Sequence, residues 1–318
     1  MRPGRSQSRT QRRSQTGSSI KQLPFAPVSN PFKPMELISD DQVAMIHHTS
    51  LEVLQGIGIE VQNDRALDLF KNAGADVDDK RVRLDADLVE QLIRGLPSEF
   101  TVHARNPEKT LKVGGNQMVF ATVSGPAFVS DIENGRRSGS MEKVREFVKL
   151  SHSLNIFHHE GGAGVEPLDL PESSRHLDMM FAQLTLTDKG WQPCWLNSRK
   201  RARDCIEMAK ISMQMSDEEL YANPALIAGI NTNSPLLLDD GQADGLIEMA
   251  IAGQPVHVTP FTLAGAMSPV TVGGSLVQQN AEALAGIVLA RLANSEARVF
   301  YGHFTSNVDM RTGSPAFG

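Results

Sequence analysis

The chain has 318 residues, of which 40% are hydrophobic and 21% are charged, and it includes 26 glycines and 17 prolines. This composition is typical of a globular protein and excludes a collagen, an acidic disordered chain and a disulfide scaffold. The two cysteines indicate a reduced, cytoplasmic setting. No apolar stretch is long enough for a bilayer, so we expect no membrane-spanning helix.

The net charge of −6 hides an uneven distribution. Residues 1–34 carry seven basic side chains and no acidic one, so the rest of the chain carries −13. A body this acidic argues against nucleic acid as the main partner, because duplex binding requires a cationic face. We interpret residues 1–36 as a disordered basic tail. An organelle transit peptide is the alternative, since the segment is rich in arginine and serine but has no apolar signal region.

Residues 37–116 predict a small α+β lead-in. Ser39, with Gln42 three residues later, makes a capping box for a helix that continues to about Leu54. The hydrophobic pattern then predicts short alternating elements: a strand at 58–61, a helix at Asp64–Lys71, a strand at Val82–Leu84, a helix at Asp85–Arg94 and a strand at Phe100–His103.

From residue 117 to residue 318, short β-rich runs alternate with amphipathic helices. The expected strands are Met118–Val123, Asn155–His159, Gln192–Leu196, Ala225–Ile230, Val256–Pro260 and Arg298–His303. The helices between them begin near Ser140, Pro171, Arg199, Asp240 and Gly274. In the last helix, apolar residues from Ala281 to Leu292 follow helical spacing and predict one continuous apolar face.

Six strand–helix units predict parallel strands joined by right-handed crossovers. A doubly wound sheet and a TIM (β/α)8 barrel both fit this alternation. The glycines of Gly161–Gly164 lack the G-x-G-x-x-G spacing of a dinucleotide-binding sheet, so the barrel is favoured. Closing it would take about 70 further residues, because each unit needs a strand and a helix. We therefore expect a barrel that is incomplete at its C-terminus.

Polar side chains follow every expected strand, at the end where barrels place their active sites. Amides and hydroxyls dominate these positions, which indicates a small polar ligand held by hydrogen bonds. The candidate substrate-binding residues are Glu160, Asn231, Thr259, Phe261, His303, Asn307 and Asp309.

The run His158-His159-Glu160 raises the question of a metal site. Adjacent strand residues point to opposite faces, so only one of the two histidines faces a barrel interior and no chelating pair forms. We therefore expect no metal bound by this chain. The histidine that points outward is expected to pack with its hydrogen bonds satisfied.

Nucleophile motifs are missing from the sequence, which has no G-x-S-x-G elbow and no P-loop. Neither Cys194 nor Cys205 has a histidine neighbour that would activate it, so both are expected in the core. Five aromatic residues near strand ends either pack in the core or form a cation–π cage for a quaternary ammonium: Trp191, Trp195, Phe261, Tyr301 and Phe304.

Five stretches resemble the trimethylamine methyltransferase family: Phe120–Pro126 (FATVSGP), Ser151–Gly162, Gly229–Pro235 (GINTNSP), Thr259–Pro269 (TPFTLAGAMSP) and Tyr301–Gly318. The resemblance runs from about residue 37 to the last residue and covers the N-terminal portion of the family, whose members are around half again as long. It implies a (β/α)8 barrel that moves a methyl group from a methylated amine to the cobalt of a separate corrinoid protein.

The resemblance also implies which groups do the chemistry. The nucleophile is the cobalt of the partner's cobalamin-type cofactor, so no catalytic residue of this chain is assigned. No pyrrolysine is visible in the sequence, which favours a quaternary amine such as glycine betaine over trimethylamine unless that residue lies beyond the last one. Aromatic rings with Glu160 or Asp309 are expected to hold the cation, and His303, Asn231 and Asn307 to bind a betaine carboxylate.

Three alternatives stay open. One is a barrel hydrolase or lyase with His159 or His303 as its base, which would act without reduced cobalt. Another is a non-catalytic quaternary-amine-binding protein, and the third is an inactive fragment. The free strand edges of an unclosed sheet also leave room for a homo-oligomer.

Overall fold

The computed structural model describes residues 20–316, so most of the predicted basic tail lies outside the described residues. Within that range the helices are α1 Asp40–Gly56, α2 Asp64–Asn72, α3 Ala86–Ile93, α4 Met141–Ser153, α5 Arg175–Leu186, α6 Arg199–Met213, α7 Asp217–Ala222, α8 Asp240–Ile251 and α9 Val272–Ala293. The strands are β1 Val28–Ser29, β2 Ile59–Val61, β3 Asp76–Asp78, β4 Arg81–Arg83, β5 Glu99–Val102, β6 Leu111–Gly114, β7 Gln117–Met118, β8 Phe128–Asp131, β9 Gly135–Ser138, β10 His159–Glu160, β11 Gly190–Trp191, β12 Ala228–Ile230, β13 Leu237–Leu238, β14 Val256–Val258, β15 Phe261–Ala264, β16 Val299–Tyr301, β17 Phe304–Val308 and β18 Pro315–Ala316.

Six successive parallel strand segments form the centre of the molecule. Ala121 pairs with His159 of β10, β10 pairs with β11, and Trp191 of β11 pairs with Leu226 just before β12. The order continues from β12 to β14 and from β14 to β16. The predicted alternation of strands and helices is thus confirmed as a mixed α/β fold, and each of these strands lies beside the next one along the chain.

Three predicted strands have clearly different bounds in the structure. The strand expected at Asn155–His159 is paired only at His159–Glu160. The strand expected at Gln192–Leu196 lies earlier in the chain, where Gly190–Trp191 forms β11. It does not continue through Pro193, because proline has no N–H for the ladder. The strand expected at Met118–Val123 joins the parallel sheet only at Ala121, and its first residue, Met118, pairs instead with the antiparallel strand β1.

The helix expected from Pro171 begins four residues later, at Arg175. The carbonyl of Pro171 accepts hydrogen bonds from the N–H groups of Ser174 and Arg175, so these residues form a turn before the helix starts. The capping box of α1 is confirmed. Ser39 Oγ accepts from the N–H of Gln42 at 3.3 Å, and Gln42 Oε1 accepts from the N–H of Ser39 at 2.9 Å.

Helix α9 is buried around most of its circumference rather than on one apolar face alone. Its polar residues Gln278, Gln279 and Glu282 are buried together with the predicted apolar ones. The reason is that α9 packs against the sheet on one side and against α1 and α3 of the lead-in on the other. The lead-in thereby shares one hydrophobic core with the later strands. No helix within residues 20–316 combines the length and apolar content that crossing a membrane requires.

Among the antiparallel pairs that the sequence did not predict are the hairpins β5–β6 and β8–β9. The pair β5–β6 extends the strand expected at Phe100–His103 and brings the Phe100 ring to 5.8 Å from the ring of Phe300 on β16. The pair β8–β9 lies between the first parallel strand and α4. Both hairpins have short strands, in which apolar and polar residues alternate too briefly to give a clear period.

Candidate functional site

The parallel sheet has an outer face that packs on helices and an inner face turned away from them. A Cβ added to Gly286 of α9 would lie 2.7 Å from Val258, so Val258 of β14 faces the helices. Side chains alternate along a strand, which places His257 and Thr259 on the inner face. The same alternation separates His159, on the inner face of β10, from its neighbours His158 and Glu160.

Two histidines on the inner face each lie over a glycine of a neighbouring strand. His159 is paired with Gly190, where an added Cβ would lie 2.7 Å from the imidazole Cδ2. His257 is paired with Gly229, where an added Cβ would lie 2.6 Å from the imidazole Cε1. Because Gly190 and Gly229 have no side chains, the His159 ring lies over β11 and the His257 ring lies over β12, which are the two strands between β10 and β14.

Two adjoining cavities open along this face, and Gln192 and His257 line both. The inner cavity, of about 270 Å³, is lined by Val113, Val119, Ala121, His159, Gln192, Ile227, His257, Thr259, Phe300, Gly302 and His303. The outer cavity, of about 340 Å³, is lined by Ser124, Gly125, Gly162, Glu166, Gln192, Pro193, Trp195, Gly229, Asn231 and His257.

The two imidazoles are neutral at neutral pH. Burial lowers the pKa of His159 to about 4, helped by the nearby His257 ring. Burial likewise lowers the pKa of His257 to about 4. His257 Nδ1 lies 2.7 Å from the Thr259 hydroxyl, whereas His159 Nε2 is buried with no hydrogen-bond partner among the described residues.

We expect these histidines to make the folded protein sensitive to acid. Both have a pKa of about 4 in the fold against an ordinary 6.5, so the unfolded chain binds more protons between those pH values. Their contribution is fully present above pH 6.5 and is lost as the pH falls toward 4. The loss is on the order of 3 kcal/mol for His159, which is fully buried, and less for His257, which is only partly buried. Urea unfolding across this range measures it, and a His159→Gln variant whose stability falls as steeply would contradict the assignment.

The outer cavity combines an aromatic ring with a carboxylate. The Trp195 side chain is 55% exposed there. Glu166 forms an ion pair with Arg175, with 3.2 Å between the carboxylate and Nε. Asn231 follows β12 and carries a side chain with no hydrogen bond from the described part of the chain. An indole face and a carboxylate together stabilise a cation that itself carries few hydrogen-bond donors.

The structure brings some of the predicted site residues together. Thr259 and His303 line the inner cavity, and Asn231 lines the outer one. Phe261 lies beyond the end of β14, where its ring stacks on Phe304 with 4.9 Å between centroids.

The three other predicted residues lie elsewhere. Glu160 points to the helix side of the sheet, where it accepts hydrogen bonds from Ser151 and Thr122, and burial raises its pKa. Asp309 accepts from the N–H groups of its own turn, and Asn307 lies in β17. Strand-end position alone did not reveal that these side chains are used outside the two cavities.

Sequence reasoning missed three polar residues of the cavities, Gln192, His257 and Glu166. A usable signal existed for His257, because a strand histidine opposite a strand glycine indicates a ring lying across the neighbouring strand. Glu166 and Gln192 had no such signal, since each occupies its cavity only through the folding of a loop or the early end of β11.

Several other sequence predictions are confirmed. His158 is buried outside the cavities, with Nδ1 accepting from the N–H of Phe120 and Nε2 lying 2.9 Å from the carbonyl of Ala26. Cys194 and Cys205 are free and buried. Trp191 packs in the core, so of the two tryptophans only Trp195 reaches a cavity.

Comparison with known proteins gives the family. The model of the family described as trimethylamine methyltransferase matches residues 2–318. This chain belongs to the trimethylamine methyltransferase family. The family resemblance of the five sequence stretches is therefore confirmed.

Curated members of the trimethylamine methyltransferase family share moderate identity with the chain. The glycine betaine methyltransferase of Desulfitobacterium hafniense (strain Y51) is 36% identical over 285 residues, which are 89% of this chain and 58% of that protein. The trimethylamine methyltransferase MttB of Methanosarcina barkeri is 27% identical, over 89% of this chain and 58% of that protein. The chain thus spans less than two thirds of the length of these relatives.

Among solved structures, the monomethylamine methyltransferase of Methanosarcina barkeri matches 86% of this chain and 61% of its own, with 13% identity and a TM-score of 0.44.

Proposed function

We propose that this chain is part of a corrinoid-dependent methyltransferase that takes a methyl group from a methylated amine, favouring a quaternary one. The observation that carries the proposal is the outer cavity, in which Trp195 and Glu166 face the same space at the carboxyl ends of the strands. Membership of the family supports the reaction class. The 36% identity to a glycine betaine methyltransferase supports the preference for a quaternary amine.

The residues present fit the chemistry of this reaction. The methyl acceptor, the cobalt of a separate corrinoid protein, supplies the nucleophile. A quaternary ammonium leaves as a neutral tertiary amine, so its departure requires no proton and no acid from this chain. The tasks that remain are to desolvate the cation, to orient one methyl group toward the open end of the cavity and to exclude water. Trp195, Glu166 and Asn231 are placed for these tasks.

We also propose that residues 117–318 supply six strands of a (β/α)8 barrel, with residues 37–116 as its lead-in. The order of the parallel strands supports this architecture, because each lies beside the next in sequence and none reverses the direction of winding. The buried free thiols of Cys194 and Cys205 fit a reducing cytoplasm.

A methyl-transfer assay tests the proposed function. The purified chain is mixed with reduced cobalamin or a corrinoid protein and with glycine betaine or trimethylamine, and methylcobalamin is followed by its absorbance. We expect product from glycine betaine and no loss of activity with a chelator of divalent metals. Hydrolysis of a substrate without reduced cobalt would favour the alternative in which His159 or His303 acts as a base.

Replacing Trp195 is expected to weaken binding of the cation. Trp195→Ala removes the exposed indole face, and a cation–π contact of this kind corresponds to about a tenfold change in affinity. Titration calorimetry with glycine betaine measures the change. Phe181→Ala is the matched control, because it removes an exposed ring on α5 that lines neither cavity. Equal affinity in the two variants would contradict the role given to Trp195.

A further inference from the structure

Two side chains form the boundary between the two cavities. Gln192 and His257 line both, and no other residue within 20–316 is shared between the two linings. A side chain that borders two adjoining cavities lies between them. The amide of Gln192 and the imidazole of His257 therefore make up a partition, which separates the outer cavity, with its indole and carboxylate, from the inner one.

The partition depends on a glycine in the strand next to it. Gln192 follows β11 and His257 lies in β14, and β12 runs between these two strands. The Cβ position of Gly229 on β12 lies 2.7 Å from His257 Nε2 and 3.4 Å from Gln192 Nε2. Both side chains thus reach across β12 toward the point that a side chain at position 229 would occupy.

Both halves of the partition are held in place. His257 Nδ1 lies 2.7 Å from the Thr259 hydroxyl, and the imidazole packs against the Phe300 ring with 5.4 Å between centroids. The N–H of Gln192 donates to the carbonyl of Glu160 at 2.9 Å, which fixes the backbone from which the amide extends. Rotation of the imidazole breaks its hydrogen bond and its ring contact, so we expect the partition to stay closed when a ligand fills the outer cavity.

The inner cavity lies beyond the partition and offers space for an alkyl chain. Its volume is about 270 Å³, and much of its lining is apolar, namely Val113, Val119, Ala121, Ile227 and Phe300. Burial of each methylene group in such a space is favourable. The partition itself is polar, and a chain that crossed it would cut the amide and the imidazole off from water, which costs free energy. The apolar space is therefore out of reach while the partition is closed.

We propose that Gln192 and His257 determine the size of the substrate, by closing the outer cavity on the side of the inner one. A quaternary amine then keeps all its substituents in the outer cavity or at its open end, and a longer N-alkyl group gains nothing from the inner cavity. This rests on the proposed function, which makes the outer cavity the cation site. The amide and the neutral imidazole border the cation without repelling it.

Quaternary ammonium ions with one chain of increasing length test the partition on the whole protein. Tetramethylammonium and its ethyl-, propyl- and butyltrimethylammonium homologues carry the same charge and differ by one methylene each. Titration calorimetry of the parent is expected to give affinities within about twofold of one another, because the added methylenes stay outside the inner cavity. An affinity that rises with each methylene would overturn the partition. Absence of tetramethylammonium binding would overturn the proposed function, and the partition with it.

Two variants open the partition from opposite sides. His257→Ala removes the imidazole and Gln192→Ala removes the amide, so that an alkyl chain reaches the inner cavity. We expect the affinity to rise about three- to fourfold for each added methylene, which is the gain from burying a CH₂ group. Urea unfolding identifies the variants that fold as the parent does. A flat series in both variants would overturn the proposal.

Val113→Ala is the matched control. Val113 lines only the inner cavity, so alanine enlarges that cavity and leaves the partition closed. We expect the same flat series as for the parent. A rise with chain length in this variant would overturn the proposal, because alkyl chains would then enter the inner cavity past an intact partition.

Discussion

Gly161→Ala is expected to disrupt the contact between the first two strands of the parallel sheet. A Cβ at Gly161 would lie 1.7 Å from the carbonyl oxygen of Thr122, which is backbone and has no rotamer to change. The N–H of Gly161 also donates to the Thr122 hydroxyl at 2.8 Å, so the two segments are held together at this point. We expect a loss of about 3 kcal/mol or more in the free energy of unfolding, because overpacking here must move a strand.

The same substitution is expected to lower ligand affinity at least tenfold, because Ala121 pairs with His159 beside this contact and both line the inner cavity. Urea unfolding and calorimetry with glycine betaine measure the two effects. Gly56→Ala is the control. Gly56 ends α1, nothing lies within 4 Å of its Cβ position, and alanine favours the helix by about 0.5–1 kcal/mol. An unfolding midpoint for Gly161→Ala equal to that of Gly56→Ala would contradict this account.

Glu282→Ala is expected to release the loop that follows β12. Glu282 lies fully buried in α9, and its carboxylate accepts hydrogen bonds from Thr232 Oγ1 at 2.6 Å, Ser234 Oγ at 2.7 Å, the N–H of Leu236 at 2.8 Å and Gln278 Nε2 at 2.9 Å. Alanine removes the acceptor of the Thr232 and Ser234 hydroxyls and of the Leu236 N–H, whereas Gln278 Nε2 keeps the carbonyl of Met267. Each orphaned donor costs about 1–3 kcal/mol before the loop relaxes, so we expect a net loss of about 3–5 kcal/mol.

Movement of the loop after β12 is also expected to disturb the outer cavity, because Asn231, which lines it, directly precedes Thr232. We expect weaker binding of glycine betaine by Glu282→Ala, and an intermediate loss of stability in Glu282→Gln, which keeps the volume and one acceptor oxygen. Urea unfolding and calorimetry separate the two effects. Glu133→Ala, at an exposed hairpin turn, is the control and is expected to stay within about 0.5 kcal/mol of the parent. A loss no greater than that of the control would refute the role of Glu282.

Features that depend on neighbouring residues were predictable from the sequence. The capping box at Ser39 needs only residues three positions apart, and the alternation of strands and helices follows from apolar spacing. The statement that only one of His158 and His159 faces inward also needs only the period of a strand. The family was equally readable, because its blocks are contiguous stretches of chain.

The composition of the site was decided by tertiary structure. Glu160 was expected in the site from its strand-end position, but the fold sets His159 on the inner face, so Glu160 points toward α4. The early end of β11 before Pro193 brings Gln192 into the cavities instead. His257 lies in the site because Gly229, 28 positions earlier in the chain, leaves room for its ring. Local sequence determines which way alternate side chains point, whereas strand register and the packing of α9 between sheet and lead-in determine which of them meet.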